Sequence, residues 1–323
     1  MTSPSKIYIS IVSIFIFIAF PLLIIGCTQN ENKAQTEAGL PERESLIPVD
    51  AIKMSPENDA LPPELHSDEF EEPVPLPYPV NTRGAEDSAF ILPDGQTLYV
   101  WFTPNNRWDV IEQAQDQVTG IYKFEKQDDG WSSPQRLWLA DPDEPQLDGC
   151  GFFQGNTVWI CAVRQGLEGM HWMTSSYENG QWSTAVLADF DPTYEVGELH
   201  ISNDGNELYF HSDRAGGKGG LDIWVSYKVD GEWGEPMNLE HVNSEYDEGW
   251  PALNPQEDEL WISKNYGLWR SKKVDGVWQT PELIISALAG EASIDQDGNV
   301  YFTHHYYEND QMIEADIYVA YRK

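Results

Sequence analysis

The sequence predicts an all-β chain, a five-bladed β-propeller of four-stranded antiparallel blades. Three observations carry that expectation. A unit of short apolar strands and tight turns recurs five times between residues 85 and 323. Tryptophans open its fourth strand at Trp131, Trp182, Trp233 and Trp278, spaced 51, 51 and 45 residues apart. Each second strand carries an aromatic residue: Tyr99, Trp159, Tyr209, Trp261 and Tyr301. Agreement of period and motif is the signature of stacked repeats.

Each element of the unit follows from local chemistry. The clearest copy is residues 198–236, with a first strand ending at Ile201, a turn at Asn203-Asp204-Gly205-Asn206 and a second strand over Leu208 to Phe210. The loop Gly216-Gly217-Lys218-Gly219-Gly220 leads to a third strand at Asp222 to Tyr227, then an Asp230-Gly231 turn and a fourth strand from Trp233. Asn and Gly at such positions tolerate the left-handed backbone that two-residue hairpins require. The first turn recurs at Pro93-Asp94-Gly95, Gln154-Gly155-Asn156, the degenerate Pro255-Gln256-Glu257-Asp258, and Gln296-Asp297-Gly298. Third strands recur at Ile121-Tyr122, His171-Trp172, Leu268-Trp269 and Ile317-Tyr318. The fifth copy stops at Lys323 without a fourth strand. Residues 72–87 match the fourth-strand region at 235–248 through Glu-Pro, a leucine, Val-Asn and closing acids. The segment from Val74 to Val80 is therefore expected to complete the last blade and close the ring, which removes an open sheet edge.

In unit three, Ser212-Asp213-Arg214, the glycine loop and Leu221-Asp222-Ile223-Trp224-Val225-Ser226 resemble the WD40-like repeat of TolB-type periplasmic propellers. The resemblance covers unit three well, unit five partly through Asp316-Ile317-Tyr318, and the others as a skeleton. It implies a propeller used as a binding or scaffolding module in a bacterial envelope, and it does not imply an enzyme.

The N-terminus is consistent with that location. Residues 7–26 are the one long apolar run, ending at Ile24-Ile25-Gly26-Cys27. This resembles the lipobox of bacterial lipoproteins, which implies a signal peptide over 1–26 and lipidation of Cys27. An uncleaved spanning helix is the alternative. Thr28 after the cysteine favours, by the same resemblance, the outer membrane, with the propeller in the periplasm or at the cell surface. Residues 27–69 are acidic and proline-bearing and read as a flexible tether before a domain over 70–323.

A net charge of −35 over 323 residues excludes nucleic acid as a partner by repulsion. An envelope protein, a glycan or a cation remains, and a monomer is expected. Cys150 and Cys161 bracket a hairpin and would sit opposite one another if Gly155-Asn156 is a two-residue loop, as a disulfide or as two buried thiols.

In a propeller the start of the first strand and the loop between strands two and three share one face. Acids at those starts are Glu86, Asp87, Asp148, Glu195, Glu198, Asp247, Glu248 and Glu291; the loops add Arg107, Trp108, Arg164, Arg214, Lys218, Tyr266 and Tyr306 with Tyr307. So many carboxylates around one opening would raise pKa values or recruit a cation such as calcium. The alternative is structural, with acids bonded to loop N–H groups or paired with Arg and Lys. Two functions follow, beside a purely structural propeller stabilised by calcium. One is a non-catalytic envelope lipoprotein that presents its loop face to a protein, glycan or cation. The other is a glycoside hydrolase of the five-bladed furanosidase type, with Glu86 or Asp87, Asp148 and Glu198 as the carboxylate set; this rests on analogy of fold.

Overall fold

A computed structural model describes residues 40–189, 196–309 and 311–323. Apart from the short helix Val110–Gln115, its regular elements are strands. They form five antiparallel meanders. Unit one comprises Ala85–Ile91, Thr97–Thr103 and Gly120–Gln127, and unit two Gln146–Gln154, Thr157–Arg164 and His171–Glu178. Unit three comprises Leu199–Ile201, Glu207–Ser212 and Asp222–Val229, and unit four Glu248–Leu253, Glu259–Lys264 and Gly267–Val274. Unit five comprises Ala289–Ile294, Val300–Glu308 and Gln311–Ala320.

Fourth strands in units one to four are each split into two short pieces, both pairing with the third strand, as Gly130–Trp131 and Gln135–Arg136 do. Pro134, Pro236 and Pro281 fall in these breaks, where a missing N–H has no ladder bond to lose. The fifth unit takes its fourth strand from the other end of the chain: Val74–Pro75 pairs with Tyr318 and Val319, as the repeat alignment predicts. Turn chemistry follows the sequence too. Asn179-Gly180, Asp230-Gly231 and Asp275-Gly276 have both residues at positive φ, the geometry that matches strand twist.

The cores lie between units. Each second-strand aromatic packs with the following unit: Tyr99 stacks on Phe153 at 3.6 Å, Trp159 joins the apolar cluster of unit three, and Tyr209 meets Trp278 edge-on. Trp261 packs with unit five and Tyr301 with Leu98 and Val100 of unit one. Trp261 and Tyr301 are fully or almost fully buried, and burying a large apolar side chain stabilises by about 1.5–3 kcal/mol.

Residues 40–69, which composition reads as tether, lie against the units, and charge pairing explains why. Units two and four each hold an internal buried ion pair, Asp148 with Arg164 and Glu248 with Lys264 at 3.0 Å. In unit one neither Phe102, opposite Glu86, nor Pro104, the counterpart of Arg164 two residues on, is a base; Arg43 supplies it at 2.8 Å. In unit five His304 faces Ala289, so no acid is present; Asp59 supplies it at 2.7 Å. Lys53 bonds Glu314 and Asp316, and Glu64–Leu65 adds a strand to the edge of unit four. Ile47 and Phe70 enter the apolar cores. The polarity of the segment reflects its pairing with buried polar groups, the carboxylates of Glu86, Glu314 and Asp316 and the imidazole of His304, which are not left without partners. The signal-peptide and lipidation positions, including Cys27, lie outside the described residues. Among the described residues no helix is long and apolar enough to cross a membrane.

Candidate functional site

A local backbone feature aims side chains at the centre. The first strands of units one, two, four and five each break register with a bulge near their start. Within each bulge one residue adopts a left-handed φ: Ser88 at 48°, Cys150 at 50°, Trp250 at 51° and Glu291 at 58°. Such bulges re-aim a side chain at the cost of local strain. In unit three, Gly197-Glu198 takes the place of Gly149-Cys150 and Gly249-Trp250. Ser88, Cys150, Glu198, Trp250 and Glu291 all line one central cavity of about 230 Å³, to which all five first strands contribute.

Position within the bulge divides the acids into two classes. Those two residues before the left-handed position, Glu86, Asp148 and Glu248, are completely buried. Glu86 accepts from Arg43, the Thr82 N–H and the Thr82 hydroxyl, Asp148 pairs with Arg164, and Glu248 pairs with Lys264. These are framework groups away from the opening, contrary to their expected place at it. A substrate cannot reach a carboxylate enclosed by its own ion pair.

Asp87, Glu198 and Glu291 form the other class, and they are only partly buried. Burial, reinforced by the charge of Asp87, pushes Glu198 up to about 8. Burial, then Asp87 and Glu198, pushes Glu291 well above the carboxylate range. Burial works to raise Asp87 as well, but His305, the Thr303 hydroxyl and the Ser88 N–H outweigh it and hold the group below its ordinary value. His305 is raised in turn, Asp87 overcoming the effect of burial. One carboxylate is thus favoured as the anion while its neighbours are favoured as acids, the response expected of like charges crowded together.

Four further residues complete the surroundings. His211 Nδ1 accepts from the Trp250 N–H at 3.1 Å, and burial depresses His211 to about 4. His200 contacts the ring of Phe152 at 4.7 Å, and burial depresses it to about 3, so both imidazoles are neutral. The Tyr307 hydroxyl is raised by burial, Tyr266 and Asp87. His305, His211, Trp250 and Tyr307 were not singled out as a set in the sequence, because no spacing motif links them. Glu291 was expected as an acid at a strand start, whereas the one signal for Trp250 was its offset from the framework position within the repeat.

Several expected mouth residues are elsewhere. Tyr306 is buried in the core, bonded to Tyr318 at 2.9 Å; strand alternation turns His305 and Tyr307 the other way. Arg214 lies over Phe210 and Trp224, Lys218 bonds the carbonyls of Glu240 and Asn243, and Asp247 accepts from the Leu221 N–H. Arg107 is exposed beside Asp50, with Trp108 next to it before the Asp109-capped helix. Tyr266 is exposed near Tyr307. Glu195 lies outside the described residues. Cys150 and Cys161 are joined as a disulfide, Cα atoms 5.4 Å apart. The two-residue loop gives the expected register near the turn, but the bulge then pairs Cys161 with Gly149, so Cys150 bonds across the bulge.

No protein-family model and no curated protein matches the chain. Solved structures do share its general course. An α-L-arabinofuranosidase from Lactobacillus brevis has a TM-score of 0.49 and 9% identity, covering 76% of this chain and 92% of its own. A putative TolB from Agrobacterium tumefaciens has a TM-score of 0.40 and 13% identity, over 75% of this chain and 92% of its own. A protein of unknown function from Dyadobacter fermentans DSM 18053 has a TM-score of 0.47 and 9% identity, over 80% and 100%. Likeness at this level transfers no chemistry.

Proposed function

We propose that the five units are blades of a closed propeller and that the protein is a non-catalytic binding module whose ligand enters the central cavity. Support for closure comes from Tyr301 packing between units five and one and from the Ser88 hydroxyl donating to Glu291 across the same junction at 2.6 Å. The observation that carries the binding reading is the division of acids. Glu198 and Glu291 line the cavity and Asp87 lies next to Glu291, whereas Asp148, and Glu86 where it rather than Asp87 is taken for the furanosidase-type set, are enclosed in ion pairs with Arg164 and Arg43. With Trp250 and neutral His200 beside them, the cavity combines apolar surface and a few convergent polar groups, the usual make-up of a ligand site. The lipobox resemblance supports an envelope location with Cys27 as the lipid anchor.

Capture from envelope extracts by the full chain tests this reading. The wild type is expected to retain a protein or glycan that a Trp250→Ala, Glu198→Gln double variant loses. Equal retention by both proteins would place binding away from the cavity and overturn it.

A further inference from the structure

We propose that Asp87, Glu291 and His305 bind one divalent first-row transition-metal ion, of the Zn2+ or Mn2+ type, beside the cavity that Glu291 lines. One donor atom from each of the three lies within 4.8 Å of the others. Asp87 and Glu291 come from the first strands of units one and five, and His305 from the second strand of unit five. An ion here would join the two units at the ring's closing seam.

Charge balance points independently to a cation. Four other buried acids pair with side-chain bases, Glu86 with Arg43, Asp148 with Arg164, Glu248 with Lys264 and Glu259 with Arg270, while Asp222 and Asp295 are held by several N–H donors each. Among the described residues no Lys or Arg forms an ion pair with Asp87, Glu198 or Glu291. Among the described residues the countercharge to this trio is His305, 3.6 Å from Asp87. A divalent ion would supply the countercharge that Glu86, Asp148, Glu248 and Glu259 obtain from Arg and Lys.

The supporting groups are also those a metal site needs. The Ser88 hydroxyl donates to Glu291 Oε2 at 2.6 Å and the Ser88 N–H to Asp87 Oδ1 at 2.8 Å, which orients both carboxylates. The Glu291 N–H donates to the Ser263 hydroxyl at 2.9 Å and fixes the left-handed backbone that aims the side chain. Donor type selects the ion. Calcium takes six to eight oxygens, whereas one imidazole with two carboxylates suits Zn2+, Mn2+ or Fe2+. Three protein donors leave coordination positions open to water or to a ligand in the cavity.

The test uses the full chain in mild detergent, stripped with chelator and titrated calorimetrically with ZnCl2, MnCl2 and CaCl2. One Zn2+ or Mn2+ per chain is expected, with a rise in melting temperature. His305→Gln and Glu291→Gln should each weaken binding at least tenfold, while their metal-free melting curves remain cooperative. Absorption of the Co2+-loaded protein should lose its imidazole-dependent features in His305→Gln. Should one variant fail to fold, Asp87→Asn supplies the same comparison. Binding that is unchanged in all three variants would assign the ion to surface histidines such as His66, His171 or His241 and overturn the proposal. No binding at millimolar metal, or calcium binding as tightly as Zn2+ and Mn2+, would overturn it too.

Discussion

At the scale of single residues, one step along the first strand decides whether an acid is framework or site. Glu86 and Asp87 are neighbours, yet one is sealed against Arg43 and the other faces Glu291 and His305. Sequence alone shows both as acids at a strand start, since it does not reveal the bulge that separates them. The same limit applies to Tyr306 and Tyr307, where only strand register decides which ring is buried. Glu198 offers a direct test. Its pKa in the folded state, about 8, lies above the ordinary carboxylate value near 4.3, so the folded protein holds this proton more tightly than the unfolded chain. The stabilisation is fully present below the ordinary value and is lost as pH rises towards 8. Glu198→Gln stays neutral throughout. In urea denaturation with chelator present, its stability relative to wild type is therefore expected to increase between pH 5 and 8.5. A difference that stayed flat or fell across that interval would contradict the burial and repulsion assigned to Glu198.

Among elements, the repeat units were legible and the N-terminal segment was not. Turn dipeptides, second-strand aromatics and fourth-strand tryptophans each mark a local requirement, and all fall where the strands are. The pairing of Val74–Pro75 with the last strand was legible through the match between residues 72–87 and 235–248. Residues 40–69 have no apolar periodicity, so composition reads them as solvated. Their contacts are long-range charge pairs such as Arg43 to Glu86, visible only after the units are assembled. Arg43 also lies 4.2 Å over the Phe102 ring, so Met is the replacement that keeps some packing while deleting charge. Arg43→Met is expected to cost about 3–5 kcal/mol, because it strands a fully buried carboxylate. Adding Glu86→Gln should restore most of that loss, and the urea midpoints of the single and double variants measure the coupling. A full additive loss in the double variant would mean that Arg43 acts by packing alone.

For the whole molecule, residues from all five first strands meet around one cavity, a convergence that no local stretch announces. The repeat predicts that convergence in kind, since the same offset recurs in every unit; which side chains occupy it differs, and Ser, Cys, Glu, Trp and Glu appear in turn. Two glutamates alone do not distinguish a binding site from a hydrolytic one, because both uses call for carboxylates around a pocket. A hydrolase would need two of these carboxylates at a defined distance on either side of the glycosidic bond, so the distinction is read from turnover. Turnover by the full chain, in mild detergent and with bound metal, on aryl furanosides, pyranosides and polysaccharides is thus the most direct measurement. The binding account predicts no sugar release above the buffer rate by wild type or Glu198→Gln. Release by the wild type that falls at least a hundredfold in Glu198→Gln, with the variant still folded, would contradict it.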